Sequence, residues 1–154
     1  MSVGVLPFRV MLVEDNPDDE KMTLRALKQA AVQDVFVARD GAQALDYLFN
    51  RAEYADRVGS DLPLLILLDL KLPKISGMEV LEQIRGNPDT TDIPVVVLTS
   101  SDEDQDIVRS YKLRANSYVR KPVEYESFMN TVKSLGLYWT ETNIGPRIHG
   151  VHAL

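Results

Sequence analysis

The segment that decides the fold is Leu64-Leu65-Ile66-Leu67-Leu68-Asp69, an apolar run that ends on one carboxylate. Such a run, followed by Leu70-Lys71-Leu72-Pro73, is typical of a strand buried on both faces of a parallel sheet. Open sheets of this class bind ligands at the edge formed by the carboxyl ends of their strands. We therefore expect Asp69 to belong to a functional site; the alternative is that it only caps the turn that follows.

Four other short apolar runs alternate with segments of helical character. The runs cover residues 8–13, 34–38, 93–98 and 117–120. Strict alternation of strand and helix predicts right-handed crossovers and a parallel sheet with helices on both faces. The sequence thus predicts a doubly wound, five-stranded α/β sandwich of three layers.

The expected helices are marked by apolar residues at helical spacing. In the first helix these residues are Leu24, Leu27 and Ala31. The pattern of the fifth helix stops at Gly136, and the chain is expected to become irregular from Tyr138. We therefore expect three parts: an N-terminal extension (1–7), one globular domain (8–136) and a C-terminal tail (137–154).

Composition narrows the classes of function. The chain has 154 residues, 45% of them hydrophobic, and a net charge of −6, which disfavours nucleic acid or an anionic membrane as partner. It has no cysteine, which excludes disulfides and thiolate metal sites. Neither a signal peptide nor an apolar run long enough to span a membrane is present, so we expect a cytoplasmic protein.

Polar residues that suit phosphoryl chemistry follow four of the predicted strands. They are Glu14 and Asp15, Asp69, Thr99, and Lys121. The carboxyl ends of parallel strands meet at one edge, and three carboxylates there repel one another unless a cation lies among them. Oxygen ligands of this kind favour Mg²⁺, and a lysine with a hydroxyl opposite would hold a phosphoryl group. One carboxylate would then be the nucleophile.

With these motifs the sequence resembles the receiver domain of bacterial response regulators over residues 8–136. The matching segments are Val13-Glu14-Asp15-Asn16, Leu67-Leu68-Asp69-Leu70-Lys71-Leu72-Pro73, Ser76-Gly77, Val97-Leu98-Thr99-Ser100 and Tyr118-Val119-Arg120-Lys121-Pro122. The resemblance implies a flavodoxin-like fold. It also implies the function of phosphoacceptor in two-component signalling.

The resemblance further implies a role for each residue of the site. Asp69 would accept the phosphoryl group, and Lys121 and Thr99 would contact its oxygens. Glu14, Asp15, Asp69 and the backbone carbonyl of Lys71 would hold Mg²⁺. Thr99 and Tyr118 would form the conformational switch, and the bond before Pro122 would be cis, as it is in the family.

The partners implied by the resemblance are proteins. Residues 110–118 and the late Tyr138-Trp139 are similar to single-domain regulators paired with bacterial phytochromes, so the kinase would be a sensor histidine kinase of that type. With no output domain, the protein would act by binding or by passing the phosphoryl group to a histidine phosphotransfer protein. Apolar residues near the fourth and fifth helices also predict a homodimer. The expected interface residues are Tyr111, Phe128, Leu137, Tyr138 and Trp139.

An enzyme with turnover is the competing class. Phosphatases of the haloacid dehalogenase type also place an aspartate nucleophile after an apolar strand and use Mg²⁺. They require a second acid two residues later, where this chain has Lys71. We therefore expect a protein that catalyses only its own phosphorylation and dephosphorylation. A receiver that is never phosphorylated is the third option, which the complete set of site residues argues against.

Overall fold

A computed structural model describes residues 10–57 and 62–146, so the predicted extension at 1–7 and the last residues of the tail lie outside the described residues. The strands are β1 (Val10–Val13), β2 (Val35–Ala38), β3 (Leu65–Leu68), β4 (Val95–Thr99) and β5 (Ser117–Arg120). The helices are α1 (Pro17–Gln29), α2 (Gly41–Leu48), α3 (Gly77–Gly86), α4 (Asp104–Lys112) and α5 (Tyr125–Leu137). Among the described helices, none combines the length and the apolarity needed to cross a bilayer.

The five strands form one parallel sheet in the order β2-β1-β3-β4-β5. The chain leaves β1 for β2 at one edge and then crosses back to β3 on the other side of β1. The order of connection therefore reverses between β1 and β3, and ligands bind at such reversal points in doubly wound sheets. The predicted α/β fold is confirmed, and the strands that precede Glu14 and Asp69 lie at this reversal point.

The sheet has a separate hydrophobic core on each face, because side chains alternate along each strand. On one face Ile66 and Leu68 pack with residues of α2 and α3. On the other face Leu65 and Leu67 pack with residues of α1 and α5. All four side chains of β3 are fully buried, as predicted from the continuous apolar run.

Helix α1 is defined at both ends by local chemistry. The Asn16 side chain accepts hydrogen bonds from the backbone N–H groups of Asp18 and Asp19 at 2.9 and 3.0 Å, and Pro17 opens the first turn. The helix ends at Gln29, and Ala31 has a left-handed φ of 62°. The prediction that Ala31 shares the buried face is therefore wrong, because the chain has already left the helix there and exposes this residue.

The first residue of helix α3, Gly77, contacts the backbone of the two residues that follow β3. The N-cap of this helix, Ser76, accepts a hydrogen bond from the backbone N–H of Glu79, and the Gly77 N–H donates to the Leu70 carbonyl at 3.0 Å. A side chain at Gly77 would collide with the backbone of Asp69 and Leu70. Glycine is therefore required for this close approach of helix and strand end.

The end of α5 differs from the prediction. The helix passes through Gly136 to Leu137 and continues as a π-helical turn over Tyr138–Thr142, so the chain does not become irregular at Tyr138. A Cβ at Gly136 would lie 3.0 Å from Leu27 Cδ2 and 3.2 Å from Ala30 Cβ. This glycine permits close packing of α5 on α1 rather than ending the helix.

Two of the aromatic residues predicted for an interface pack inside the chain. Phe128 is only 2% exposed because its position on α5 turns it into the core shared with α1, so the prediction that it lies in an interface is wrong. Trp139 is half-buried against the same core and therefore does have a partner within the chain. Tyr111, Leu137 and Tyr138 are exposed, as expected.

Helix α4 is attached mainly at its C-terminal end, where Ser110 is its one buried residue. The buried guanidinium of Arg85 donates to the carbonyl of Arg114, which follows α4, at 2.9 and 3.2 Å. It also donates to the carbonyls of Thr91 and Ile93 and to the side chain of Asn116. One side chain of α3 therefore joins the loop that enters β4 to the loop that leaves α4.

Candidate functional site

The site lies at the carboxyl edge of the sheet, where backbone hydrogen bonds fix the residues that follow the strands. The N–H of Asp69 donates to the carbonyl of Val13 at 3.1 Å, and the N–H of Lys121 donates to that of Thr99 at 2.7 Å. The ladders thus extend one residue past the strands. As predicted, Glu14, Asp69, Thr99 and Lys121 meet at this edge.

Asp69 has both carboxylate oxygens engaged. Oδ1 accepts a hydrogen bond from the Thr99 hydroxyl at 2.8 Å and one from the Lys71 N–H at 3.1 Å. Oδ2 accepts from Lys121 Nζ at 2.8 Å. Since the side chain is almost buried, these contacts fix its orientation toward the edge of the sheet.

Lys121 is the centre of a cluster of carboxylates. Its ammonium group donates to Glu14 at 2.7 Å, to Asp19 at 2.8 Å and to Asp69 at 2.8 Å. Burial by itself would lower the pKa of Lys121, but hydrogen bonds to three carboxylates outweigh it and raise this pKa above its usual value. Lys121 therefore remains charged at neutral pH.

Three carboxylates form a group with the composition of a divalent cation site. One oxygen each from Glu14, Asp15 and Asp69 lies within 4.8 Å of the others. Burial raises the pKa of Glu14 to about 7, although its contact with Lys121 acts in the opposite direction. Hard oxygen donors that repel one another fit a hard divalent cation, which would relieve the repulsion. The backbone N–H of Lys71 donates to the Asp69 carboxylate. That the Lys71 carbonyl binds the cation stays a prediction.

The family model of the response regulator receiver domain matches residues 10–133. The chain belongs to this family. The receiver domain is a module of two-component signalling. Phosphatases of the competing class carry a second acid at the position where this chain has Lys71.

Other receivers match this one over nearly its whole length. FilR2 of Methanothrix harundinacea, named a probable methanogenesis regulatory protein, is 40% identical over 91% of this chain and 88% of its own. The response regulator Rcp1 of Synechocystis sp. is 39% identical over 88% of this chain and 91% of its own. The crystal structure of Mn²⁺-bound Rcp1 has a TM-score of 0.83 at 38% identity, covering 90% of this chain and 98% of that one.

A phosphorylated receiver has also been solved. It is the cyanobacterial phytochrome response regulator RcpA, with a TM-score of 0.84 at 38% identity, covering 93% of this chain and 100% of that one. The predicted resemblance to phytochrome-associated response regulators is therefore confirmed. Relatives of this receiver have been crystallised with a metal ion and in a phosphorylated state.

A chain of hydrogen bonds leads from Asp69 of this receiver to Tyr118. Thr99, which donates to Asp69, accepts at 3.4 Å from the N–H of Ser101. The carbonyl of Ser101 accepts from the Tyr118 hydroxyl at 2.8 Å, and the Ser101 hydroxyl donates to Asp106 at 2.6 Å. Burial raises the pKa of Tyr118, so the phenol stays protonated and donates. The two predicted switch residues are thus connected through Ser101, which links them to the first turn of α4.

The structure adds a site residue and changes one expected detail. The carboxylate of Asp19 reaches Lys121, although this residue is not among those predicted for the site from the sequence. Asp19 lies three residues after the capping Asn16, in the first turn of α1. The sequence does not indicate that Lys121 lies opposite this turn, and only the fold shows it. Within the described residues no peptide bond is cis, so the bond before Pro122 is in the lower-energy trans form.

Proposed function

We propose that this receiver domain accepts a phosphoryl group on Asp69 from a sensor histidine kinase, in a reaction that requires Mg²⁺. The observation that carries the proposal is the environment of the Asp69 carboxylate. It is held between the Thr99 hydroxyl and the Lys121 ammonium, at 2.8 Å each, and beside Glu14 and Asp15. Phosphoryl transfer depends on positioning and on neutralisation of charge, and these residues supply both.

The transfer would follow from the roles of these side chains. An oxygen of Asp69 attacks the phosphorus of a phosphohistidine, the P–N bond breaks, and the bonding electrons return to the imidazole. Lys121 and Thr99 then contact oxygens of the phosphoryl group. Glu14, Asp15 and the carbonyl of Lys71 would hold Mg²⁺, which when bound neutralises charge on the phosphoryl oxygens.

The test is labelling of the purified protein with acetyl phosphate and Mg²⁺. We expect acid-labile, stoichiometric labelling of wild type and none in Asp69→Asn, which removes the nucleophile at nearly constant volume. Glu14→Gln and Asp15→Asn should weaken Mg²⁺ binding and slow labelling. Labelling of folded Asp69→Asn would place the acceptor elsewhere, and continuous release of phosphate with turnover would favour a phosphatase.

We propose that phosphorylation of Asp69 changes the hydrogen bonds of Thr99 and, through them, the environment of Tyr118. The phosphoryl group adds acceptor oxygens that compete for the Thr99 hydroxyl, and this hydroxyl is also the acceptor for the N–H of Ser101. We therefore expect beryllofluoride, a phosphoryl mimic, to change the NMR chemical shifts of Thr99, Ser101 and Tyr118. Unchanged shifts in a protein that binds the mimic would reject the coupling.

The kinase that we propose is of the phytochrome type, because RcpA is a phytochrome response regulator and its match covers 93% of this chain. Phosphorylated protein would act in the cytoplasm through protein contacts, including transfer to a histidine phosphotransfer protein. The test compares phosphoryl transfer from a purified phytochrome-type kinase with transfer from an unrelated histidine kinase. Equal rates from both kinases would argue against the pairing.

We further propose a homodimer that uses the exposed apolar residues of α4 and of the C-terminal turn. Tyr111, Leu137 and Tyr138 are exposed, and one such surface can pair with itself about a two-fold axis. Leu137→Ser with Tyr138→Ser should convert a dimer to a monomer in sedimentation experiments without unfolding it. Monomeric wild type at high micromolar concentration, with and without phosphorylation, would reject the dimer.

A further inference from the structure

The three hydrogen-bond donors of Lys121 are all occupied by carboxylates. Glu14, Asp19 and Asp69 each accept one hydrogen bond from Nζ, at 2.7 to 2.8 Å. An ammonium group has three N–H donors and no more. For Lys121 to contact an oxygen of a phosphoryl group, as the proposed function requires, one of these contacts must therefore be given up.

The three contacts differ in what their loss would cost. The side chains of Glu14 and Asp69 are 2% and 7% exposed, so either carboxylate would lose a partner where water has little access. The side chain of Asp19 is 25% exposed. Water can replace a lost partner more easily at a more exposed group. The contact with Asp19 is therefore the one whose loss costs least.

Local structure keeps Asp19 in place beside Lys121. Its backbone N–H donates to the Asn16 side chain at 3.0 Å, and it lies in the first turn of α1. Asp19 does not belong to the group of carboxylates that could hold a cation, which consists of Glu14, Asp15 and Asp69 among the described residues. Within the part of the chain that the structure describes, its side chain contacts Lys121.

We propose that Asp19 is a positioning residue that holds the third donor of Lys121 at rest and yields it to the incoming phosphoryl group. The inference rests on the proposed function at Asp69. Asp19 then has two effects on the reaction, because it competes with the phosphoryl group for Lys121 and places a negative charge beside the ammonium group that an anionic donor must reach. Both effects slow phosphorylation, so removal of the carboxylate should accelerate it.

The test compares wild type, Asp19→Asn and Asp18→Asn. The neighbouring Asp18 is the matched control, since it lies in the same turn, carries the same charge, is exposed and has no recorded contact with Lys121. The initial rate of labelling by acetyl phosphate with Mg²⁺ should rise about threefold or more in Asp19→Asn, the size expected for a partly exposed ion pair. Asp18→Asn should label within about twofold of wild type, because an exposed charge contributes little.

Two further measurements separate a positioning role from others. Mg²⁺ affinity should be equal in Asp19→Asn and Asp18→Asn. In wild type, the ¹³C resonance of the Asp19 carboxyl should shift when beryllofluoride binds, because the Lys121 contact is lost. Equal labelling rates in the two variants, slower labelling with weaker Mg²⁺ binding in Asp19→Asn, or an unmoved Asp19 resonance would each overturn the inference.

The outcome also distinguishes failure of the inference from failure of the proposed function. Wild type and Asp18→Asn that both fail to label at Asp69 would reject the proposed function, and this inference with it. Normal labelling in both, with no acceleration in Asp19→Asn, would reject the inference alone.

Discussion

Gly77→Ala should destabilise the protein, whereas the same change at Gly86, at the other end of α3, should not. A Cβ at Gly77 would collide with the carbonyl oxygen of Asp69 and lie 2.5 Å from the Cα of Leu70. Both are backbone atoms, so no side-chain rotation can relieve the overlap, and α3 must move away from the strand end. A Cβ at Gly86 has no neighbour within 4 Å.

The size of the effect follows from three contributions to the free energy of unfolding. Overpacking costs about 1–3 kcal/mol. Movement of α3 also stretches the hydrogen bond from the Gly77 N–H to the Leu70 carbonyl, now 3.0 Å, which is a loss of about 1 kcal/mol. Alanine regains at most about 1 kcal/mol of helix propensity. The net result is destabilisation by about 1–3 kcal/mol for Gly77→Ala and a small stabilisation, below about 1 kcal/mol, for Gly86→Ala.

Urea denaturation measures both variants. With a slope of about 2 kcal/mol per molar urea, the midpoint of Gly77→Ala should fall by about 0.5–1.5 M, while that of Gly86→Ala should stay equal or rise slightly. Labelling at Asp69 should also slow in Gly77→Ala, because the displaced backbone carries the phosphoacceptor. A Gly77→Ala midpoint that matches wild type would refute the argument that this glycine is required by backbone contact.

Three other changes test separate features. Ala31→Gly should stabilise the protein by about 0.5–1 kcal/mol in urea denaturation, since glycine adopts the left-handed φ of 62° without a Cβ penalty; a lower midpoint would contradict this. Arg85→Met should destabilise by about 2–4 kcal/mol because it leaves the carbonyls of Thr91, Ile93 and Arg114 without their donor; a loss below 1 kcal/mol would show that water replaces them. Thr99→Val should slow labelling at Asp69 and remove the beryllofluoride-induced shift of Tyr118, and a retained shift would exclude the Thr99 hydroxyl from the switch.

The sheet and the main site residues could be predicted because their signals are local and combine through one rule. Each apolar run identifies a strand, and a parallel sheet brings all carboxyl ends to one edge. Glu14, Asp69, Thr99 and Lys121 could therefore be grouped although they are distant in sequence. The rule required no knowledge of which helix packs on which face.

The features that were missed depend on that packing. Asp19 has the same local signature as Asp18, and only the position of α1 against β5 brings one of them to Lys121. The sequence pattern ends α5 at Gly136, whereas in the structure this glycine lies within the helix and permits the approach of Leu27. The interface prediction for Phe128 is wrong because the sequence does not give the orientation of α5 about its axis. Arg85 gave no signal, since its acceptors are mostly backbone carbonyls, which any sequence provides.

The two ends of α4 are attached to the rest of the domain by different numbers of hydrogen bonds. The Arg85 guanidinium joins the loop after its last turn to the body of the domain, whereas the first turn is joined through one hydrogen bond between Ser101 and Asp106. With nine residues at about 1.5 Å each, the helix is about 13 Å long, so a tilt of about 10° about the fixed end moves the free end by about 2 Å. We therefore expect a change at Ser101 to displace the first turn of α4, near Asp104, more than its last turn, which is followed by the residue that Arg85 holds.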